Sequence, residues 1–223
     1  MRAGMRAGVR AGLRPVAPCV PVGGGAWSVS YLGGVQVHLL DTRRLPLGIR
    51  GLSGLSLAER QEWRAIRSRT AARLFLGSRA MALPMARAFD RRNRQIRRQP
   101  SGQPVLRHGH ISISRCYPYV AFALSPRPLG LDLERIRYDE EVIDGVATLF
   151  SAAEQVVLRH PATRASAFCR IWSRKEALAK RQGCGICTDL AALDTLHPSC
   201  HFHPSGRLHS RRLRGGYWLS LAC

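Results

Sequence analysis

At 223 residues, 45% hydrophobic and 22% charged, the chain is long enough for one large domain or two small ones with real cores. No run approaches the roughly 18 apolar residues of a membrane-spanning helix, and seven scattered cysteines fit a reducing compartment better than a disulfide framework, so a cytoplasmic protein without a membrane partner is expected. A formal charge of +21, from 35 basic and 14 acidic residues, calls for an anionic partner: nucleic acid, a phosphate-rich small molecule or an acidic protein surface.

Residues 1–34 read as a basic N-terminal extension outside the fold. Met1-Arg-Ala-Gly, Met5-Arg-Ala-Gly, Val9-Arg-Ala-Gly and Leu13-Arg repeat without acids, and a Pro/Gly stretch follows at 15–25. A glycine in every repeat opposes helix, so a disordered tail is expected; the apolar core of a secretory signal is missing. Residues 35–40 alternate and predict a first strand. Over 56–89 the pattern is helical, opened by a Ser56/Glu59 capping box and broken or kinked at Pro84. Arginines at 60, 64, 67, 69, 73 and 79 give that run a basic face. A Pro/Gly turn at 100–104 leads to strands at 110–114 and 119–124, and residues 125–128 read as a linker between segments 35–127 and 128–223.

The second segment opens with a strand over 129–134. Short helices are predicted at 139–150 and 151–160, the latter with a Ser151/Glu154 capping box. A stronger helix over 165–181 stops before Gly183 and Gly185, and weak strands at 208–213 and 217–221 close the chain. The order predicts an α+β fold of two α/β halves of similar size, with no residue-level repeat between them.

Asp132 and Glu134 lie two apart on the 129–134 strand, so both project from one face, roughly 6.6–7 Å apart at Cα. Leu131 and Leu133 take the other face and anchor the strand. Two such carboxylates repel unless a cation separates them, and Mg²⁺, a hard ion held by one or two carboxylates, suits the pair. A strand end dipping into solvent is the structural alternative. Glu176 adds a third carboxylate on the 165–181 helix, in a stripe with Trp172 and Lys180 at i, i+4 and i+8. Only two of the 35 basic residues are lysines, and Lys175 and Lys180 bracket that glutamate. An exposed Glu176–Lys180 salt bridge is the plainer reading of the stripe.

Taken together, Gly130-Leu-Asp-Leu-Glu134, Phe150-Ser-Ala-Ala-Glu154, Trp172-Ser-Arg-Lys-Glu-Ala-Leu-Ala-Lys180 and Gly183-Cys-Gly185 resemble the 4′-phosphopantetheinyl transferases, closest to the larger pseudo-dimeric type that activates peptide and polyketide synthases. Arg73-Leu-Phe-Leu-Gly77, Gly102-Gln-Pro104 and Ile111-Ser-Ile-Ser114 fit upstream motifs of the same family. The resemblance implies two similar halves in a pseudo-twofold arrangement, an active site in the cleft between them, and a monomer. It implies transfer of the phosphopantetheine arm of coenzyme A to a serine of an acidic acyl or peptidyl carrier protein, releasing 3′,5′-ADP. By resemblance Asp132, Glu134 and Glu176 hold Mg²⁺, Glu176 and Lys180 are catalytic, and Lys175 and Lys180 contact phosphates. Arg73 would bind the coenzyme A 3′-phosphate, with Arg60 and Arg64 as weaker candidates; Gln103, Pro104, Ser114 and Arg115 would complete the cofactor site. Two positions depart from the family: Arg115 stands where it usually has His, and Gln103 where it has Lys.

A competing reading is a basic nucleic-acid-binding protein with a zinc knuckle, built on Cys184 and Cys187 with Cys200, His201 and His203 downstream. No second C-x₂-C completes that set. A third reading, a non-catalytic relative that binds carrier protein or coenzyme A, is opposed by the intact carboxylate triad.

Overall fold

The computed structural model describes residues 27–45, 55–100, 102–183, 189–193, 195–197 and 206–223. Two strands, β1 (Trp27–Leu32) and β2 (Val35–Asp41), form an antiparallel hairpin across Gly33 and Gly34. Both glycines have positive φ, 56° and 79°, as a two-residue type I′ hairpin loop requires of its central pair. Strand β1 therefore lies inside the stretch assigned to the extension. The alternation Trp27-Ser-Val-Ser-Tyr31, followed after Leu32 by Gly-Gly, is a hairpin signal, and the repeat before it masked it. Residues 1–26 lie outside the described residues.

The helical run expected over 56–89 is two helices, α1 (Leu57–Ala65) and α2 (Arg69–Phe89). Ser56 caps α1 through the expected box with Glu59. The Ser68 hydroxyl then accepts the Ala71 N–H at 3.3 Å and starts a fresh helix, which explains the interruption at 66–68. Pro84 does not end α2. The stripe Met81, Ala82, Met85 and Ala86 is buried against the sheet, and that burial outweighs the lost backbone bond. A short hairpin follows, β3 (Arg97–Arg98) with β4 (Pro104–Val105), where only a turn was expected. Next come β5 (His110–Cys116), β6 (Tyr119–Ser125) and β7 (Gly130–Arg135). Helices α3 (Glu140–Ala147), α4 (Ala152–Val157) and α5 (Arg164–Gln182) precede the closing strands β8 (Leu208–Leu213) and β9 (Tyr217–Ala222).

The α+β class is as expected. One antiparallel sheet has the order β1-β2-β6-β5 and a second the order β7-β9-β8. Helix α2 covers one face of the first through Leu40, Met81, Met85, Ile111, Val120 and Phe122. The other face, with Val37, Ala121 and Ala123, shares an apolar layer with Leu131, Leu133, Leu219 and Leu221 of the second sheet. Strand alternation sends Asp132 and Glu134 to the opposite side of β7, which α5 covers with Ala177 and Leu178 beside Leu208 and Ala222. Among the described residues no helix is long and apolar enough to cross a membrane.

The two sheets meet at β5 and β7, where side chains replace part of the backbone ladder. Ser112 Oγ accepts the Leu131 N–H at 2.8 Å, and Ser114 Oγ accepts the Leu133 N–H at 3.1 Å. Helix α5 passes so close to β7 that a Cβ on Gly130 would stand 1.9 Å from the Ala177 carbonyl oxygen and 2.5 Å from the Arg181 nitrogen. Both are backbone atoms, which a rotamer change cannot move. Gly130→Ala should therefore destabilise the protein by roughly 3 kcal/mol, the upper range of overpacking costs. Urea unfolding with wild-type stability would contradict this crossing.

Candidate active site

Asp132 is only 2% exposed, beneath α5. Its Oδ1 accepts the Ser114 hydroxyl at 2.9 Å and the Lys180 ammonium at 2.5 Å. Its Oδ2 is buried and has no hydrogen-bond partner among the described residues. Two residues along, Glu134 accepts the Tyr138 hydroxyl at 2.7 Å. Burial, then the charge of Asp132, push Glu134 from 4.5 up to about 7, and Glu176 adds to the push. Burial and then Asp132 also raise Glu176, against the pull of Lys180. Three carboxylates thus share one poorly solvated region, in which the charged forms of Glu134 and Glu176 are disfavoured.

The donor set fits a hard divalent cation in kind: all oxygen, crowded negative charge, and an unsatisfied buried oxygen on Asp132. The side chains are not drawn into a closed cage. Among the described residues no group of three or more His, Cys, Asp or Glu side chains stands ready to hold a metal. Lys180 holds Asp132, and Tyr138 holds one oxygen of Glu134.

Glu176 and Lys180 also line a cavity of about 240 Å³, together with Arg79, Arg98, Arg115, Gln103 and Pro104. Desolvation, followed by the charges of Arg79 and Arg115, lowers Arg98; desolvation and then Arg79 lower Arg115. The guanidiniums are crowded, and an anion among them would relieve the crowding. Arg79 lies over the Phe75 ring at 5.1 Å, with Glu62 at 3.4 Å and Glu59 at 4.0 Å. Arg98 donates to the Gly102 carbonyl at 2.8 Å, which fixes its direction in the cavity wall. Gln103 donates to the Lys180 carbonyl at 2.8 Å.

Three expected contacts are placed elsewhere. Lys175 is wholly buried, so it has no path to a phosphate. Its ammonium donates to the Leu190 and Leu193 carbonyls at 2.5 and 2.6 Å, pairs with Glu154 at 2.7 Å and lies 5.1 Å from the centre of the Phe150 ring. Glu154 in turn accepts the Ser151 N–H at 3.0 Å and, through its other oxygen, the Thr195 N–H and hydroxyl at 3.0 and 2.6 Å. Arg73 spends its guanidinium on the carbonyls of Thr42, Arg43 and Leu45 and ties α2 to the end of β2. Ser114 is taken up by Asp132 and Leu133. Arg60 donates to the Leu55 carbonyl at 3.2 Å and Arg64 is exposed; neither lines the cavity. Arg79, Arg98 and Tyr138 were not singled out from sequence. Arg79 was one of six arginines on a helical run, and Arg98 abutted a segment read only as a turn.

Gly183 ends α5 in the left-handed conformation at φ 78°, as a C-cap glycine does. Cys184, Gly185, Cys187, Cys200, His201 and His203 lie outside the described residues. Residues 128–220 match the family model of the 4'-phosphopantetheinyl transferase superfamily. The chain is 36% identical over 97 residues to the 4'-phosphopantetheinyl transferase psf-1 of Bacillus pumilus, covering 41% of each chain. It is 31% identical over 85 residues to a 4'-phosphopantetheinyl transferase of Bacillus subtilis, covering 37% of each. The chain thus matches about two fifths of the length of these curated relatives.

Two outcomes follow from the buried groups. Lys175→Ala strands the Glu154 carboxylate in the interior and should cost roughly 3–5 kcal/mol in urea unfolding, whereas Lys175→Met with Glu154→Gln should recover much of that loss. Glu134 holds its proton to higher pH when folded. Its contribution is therefore fully present below about pH 4.5 and lost as pH rises through about 7. Glu134→Gln should flatten that part of the metal-free stability profile, and an unchanged slope would contradict the shift.

Proposed function

We propose, from the match of residues 128–220 to the 4′-phosphopantetheinyl transferase superfamily, that the chain transfers the phosphopantetheine arm of coenzyme A to a serine of a carrier protein. The observation that carries this is the charge layout of one cavity. Glu176 and the Asp132-bound Lys180 share its wall with Arg79, Arg98 and Arg115. A substrate with a metal-binding pyrophosphate and a separate phosphate monoester answers both sets of charges. On this reading the two helix-covered sheets are the pseudo-twofold halves of the larger family type, and the chain acts as a cytoplasmic monomer.

Asp132, Glu134 and Glu176 would hold Mg²⁺. When bound, the ion supplies Lewis-acid neutralisation of pyrophosphate charge. Glu176, raised by burial and by Asp132, takes the proton of the carrier serine. The serine oxygen then bonds to the phosphorus bearing pantetheine, and the pyrophosphate bridge bond breaks. The electron pair leaves with 3′,5′-ADP, where the Lys180 ammonium and the arginines offset its charge. Arg79, Arg98 and Arg115 take the phosphate role expected of Arg73, whose guanidinium is committed to backbone carbonyls. An acidic carrier approaching a chain of charge +21 would associate at a rate that falls with salt.

Incubation with apo carrier protein, coenzyme A and Mg²⁺ should add one phosphopantetheine mass to the carrier. Lys180→Ala should lower kcat roughly 100-fold, and Arg98→Ala should raise KM for coenzyme A roughly tenfold. No mass gain with peptide, polyketide or fatty-acid carriers would leave a non-catalytic binder as the better reading.

A further inference from the structure

The β3–β4 hairpin reaches across to α5 through Gln103. Gln99 donates to the Gln103 carbonyl at 3.0 Å, Gly102 donates back to the Gln99 carbonyl at 2.8 Å, and Arg98 holds the Gly102 carbonyl at 2.8 Å. From this closed turn the Gln103 carboxamide donates 2.8 Å to the Lys180 carbonyl, 77 residues away in sequence.

That carbonyl belongs to the last turn of α5, whose final four carbonyls have no partner within the helix. The Gly183 N–H satisfies Ala179 at 2.9 Å, and Gln103 satisfies Lys180. The other end of the carboxamide lies beside the cap, where a Cβ on Gly183 would stand 2.8 Å from Gln103 Oε1. Lys180 is thus gripped twice, by Gln103 at its backbone and by Asp132 at its amine. Glu176 lies one turn earlier on the same helix and lines the same cavity.

The geometry points to Gln103 as a positioning residue: its carboxamide sets the last turn of α5, and with it the reach of Lys180 and Glu176, instead of contacting substrate. The inference rests on the transferase reading for its kinetic consequence, but the tether is a property of the fold.

The test compares full-length Gln103→Ala, Gln103→Glu and Gln103→Lys. The ionised glutamate cannot donate, whereas lysine keeps an N–H donor at similar reach. In the carrier assay, Gln103→Ala and Gln103→Glu should lower kcat about tenfold, the scale of a small misplacement of catalytic groups, with KM for coenzyme A changed less than about twofold. Gln103→Lys should restore kcat. Amide hydrogen exchange in the segment ending at Gly183 should be about fivefold faster in the alanine and glutamate variants, as one lost hydrogen bond implies, and near wild-type in the lysine variant. A raised KM with kcat held would show direct substrate contact and overturn the proposal. Unchanged exchange in Gln103→Ala would overturn it too. If the wild-type chain modifies no carrier, the transferase reading fails, and the exchange rates alone decide the tether: accelerated supports it, unchanged rejects it.

Discussion

Where α5 crosses β7 the two backbones come into contact, and the space between them admits a glycine and nothing larger. Gly130, Asp132 and Glu134 are alternate residues of one strand and face the same way, so they form a row under the helix. The first lets the helix descend, the second meets Lys180, and the third lies at the end of the row beside Tyr138. A helix held farther off would lengthen the 2.5 Å contact between Lys180 and Asp132 beyond an ion pair. The glycine of the strand motif is therefore a packing requirement with an electrostatic consequence.

Both sets of charges at the site are only partly neutralised, by Lys180 on Asp132 and by Glu59 and Glu62 on Arg79. The carboxylates Glu134 and Glu176 are raised, so the protein disfavours their negative form. Arg98 and Arg115 are lowered, so it disfavours their positive form as well. Elsewhere the arginines find carboxylates nearby: Arg43 with Asp41, Arg92 with Asp90, Arg164 with Glu140 and Asp144. A cation on one side and an anion on the other would remove both penalties, as the proposed substrate with its metal-bound pyrophosphate and further phosphate would do.

Local periodicity and capping were legible in the sequence because they depend on residues close in the chain. The alternation over 129–134 correctly separated Leu131 and Leu133 from Asp132 and Glu134, and both capping boxes formed. What misled was the choice between residues of one type. Arg73 and Arg79 are six apart, so about 240° around a helix. One turns to the carbonyls after β2 and the other to the cavity. A motif match favours the first; only the packing of α2 on its sheet selects the second. Gln103 was placed in the cofactor site, as a departure from the family's lysine, for a similar reason, because its partner is a carbonyl 77 residues away and no local pattern encodes it.

The two lysines in an arginine-rich chain turn out to have separate explanations. At Lys175 the ammonium, with its three N–H donors, reaches the Leu190 and Leu193 carbonyls and Glu154. A guanidinium would bring five donors on a larger, rigid plane into the same closed space. Lys180 is 30% exposed and pairs with a single oxygen of Asp132. Its remaining donors are available to the cavity, and its slim head leaves room beside Glu176 that a planar fork would fill. One amine is enclosed by the core around it, and the other lines the cavity.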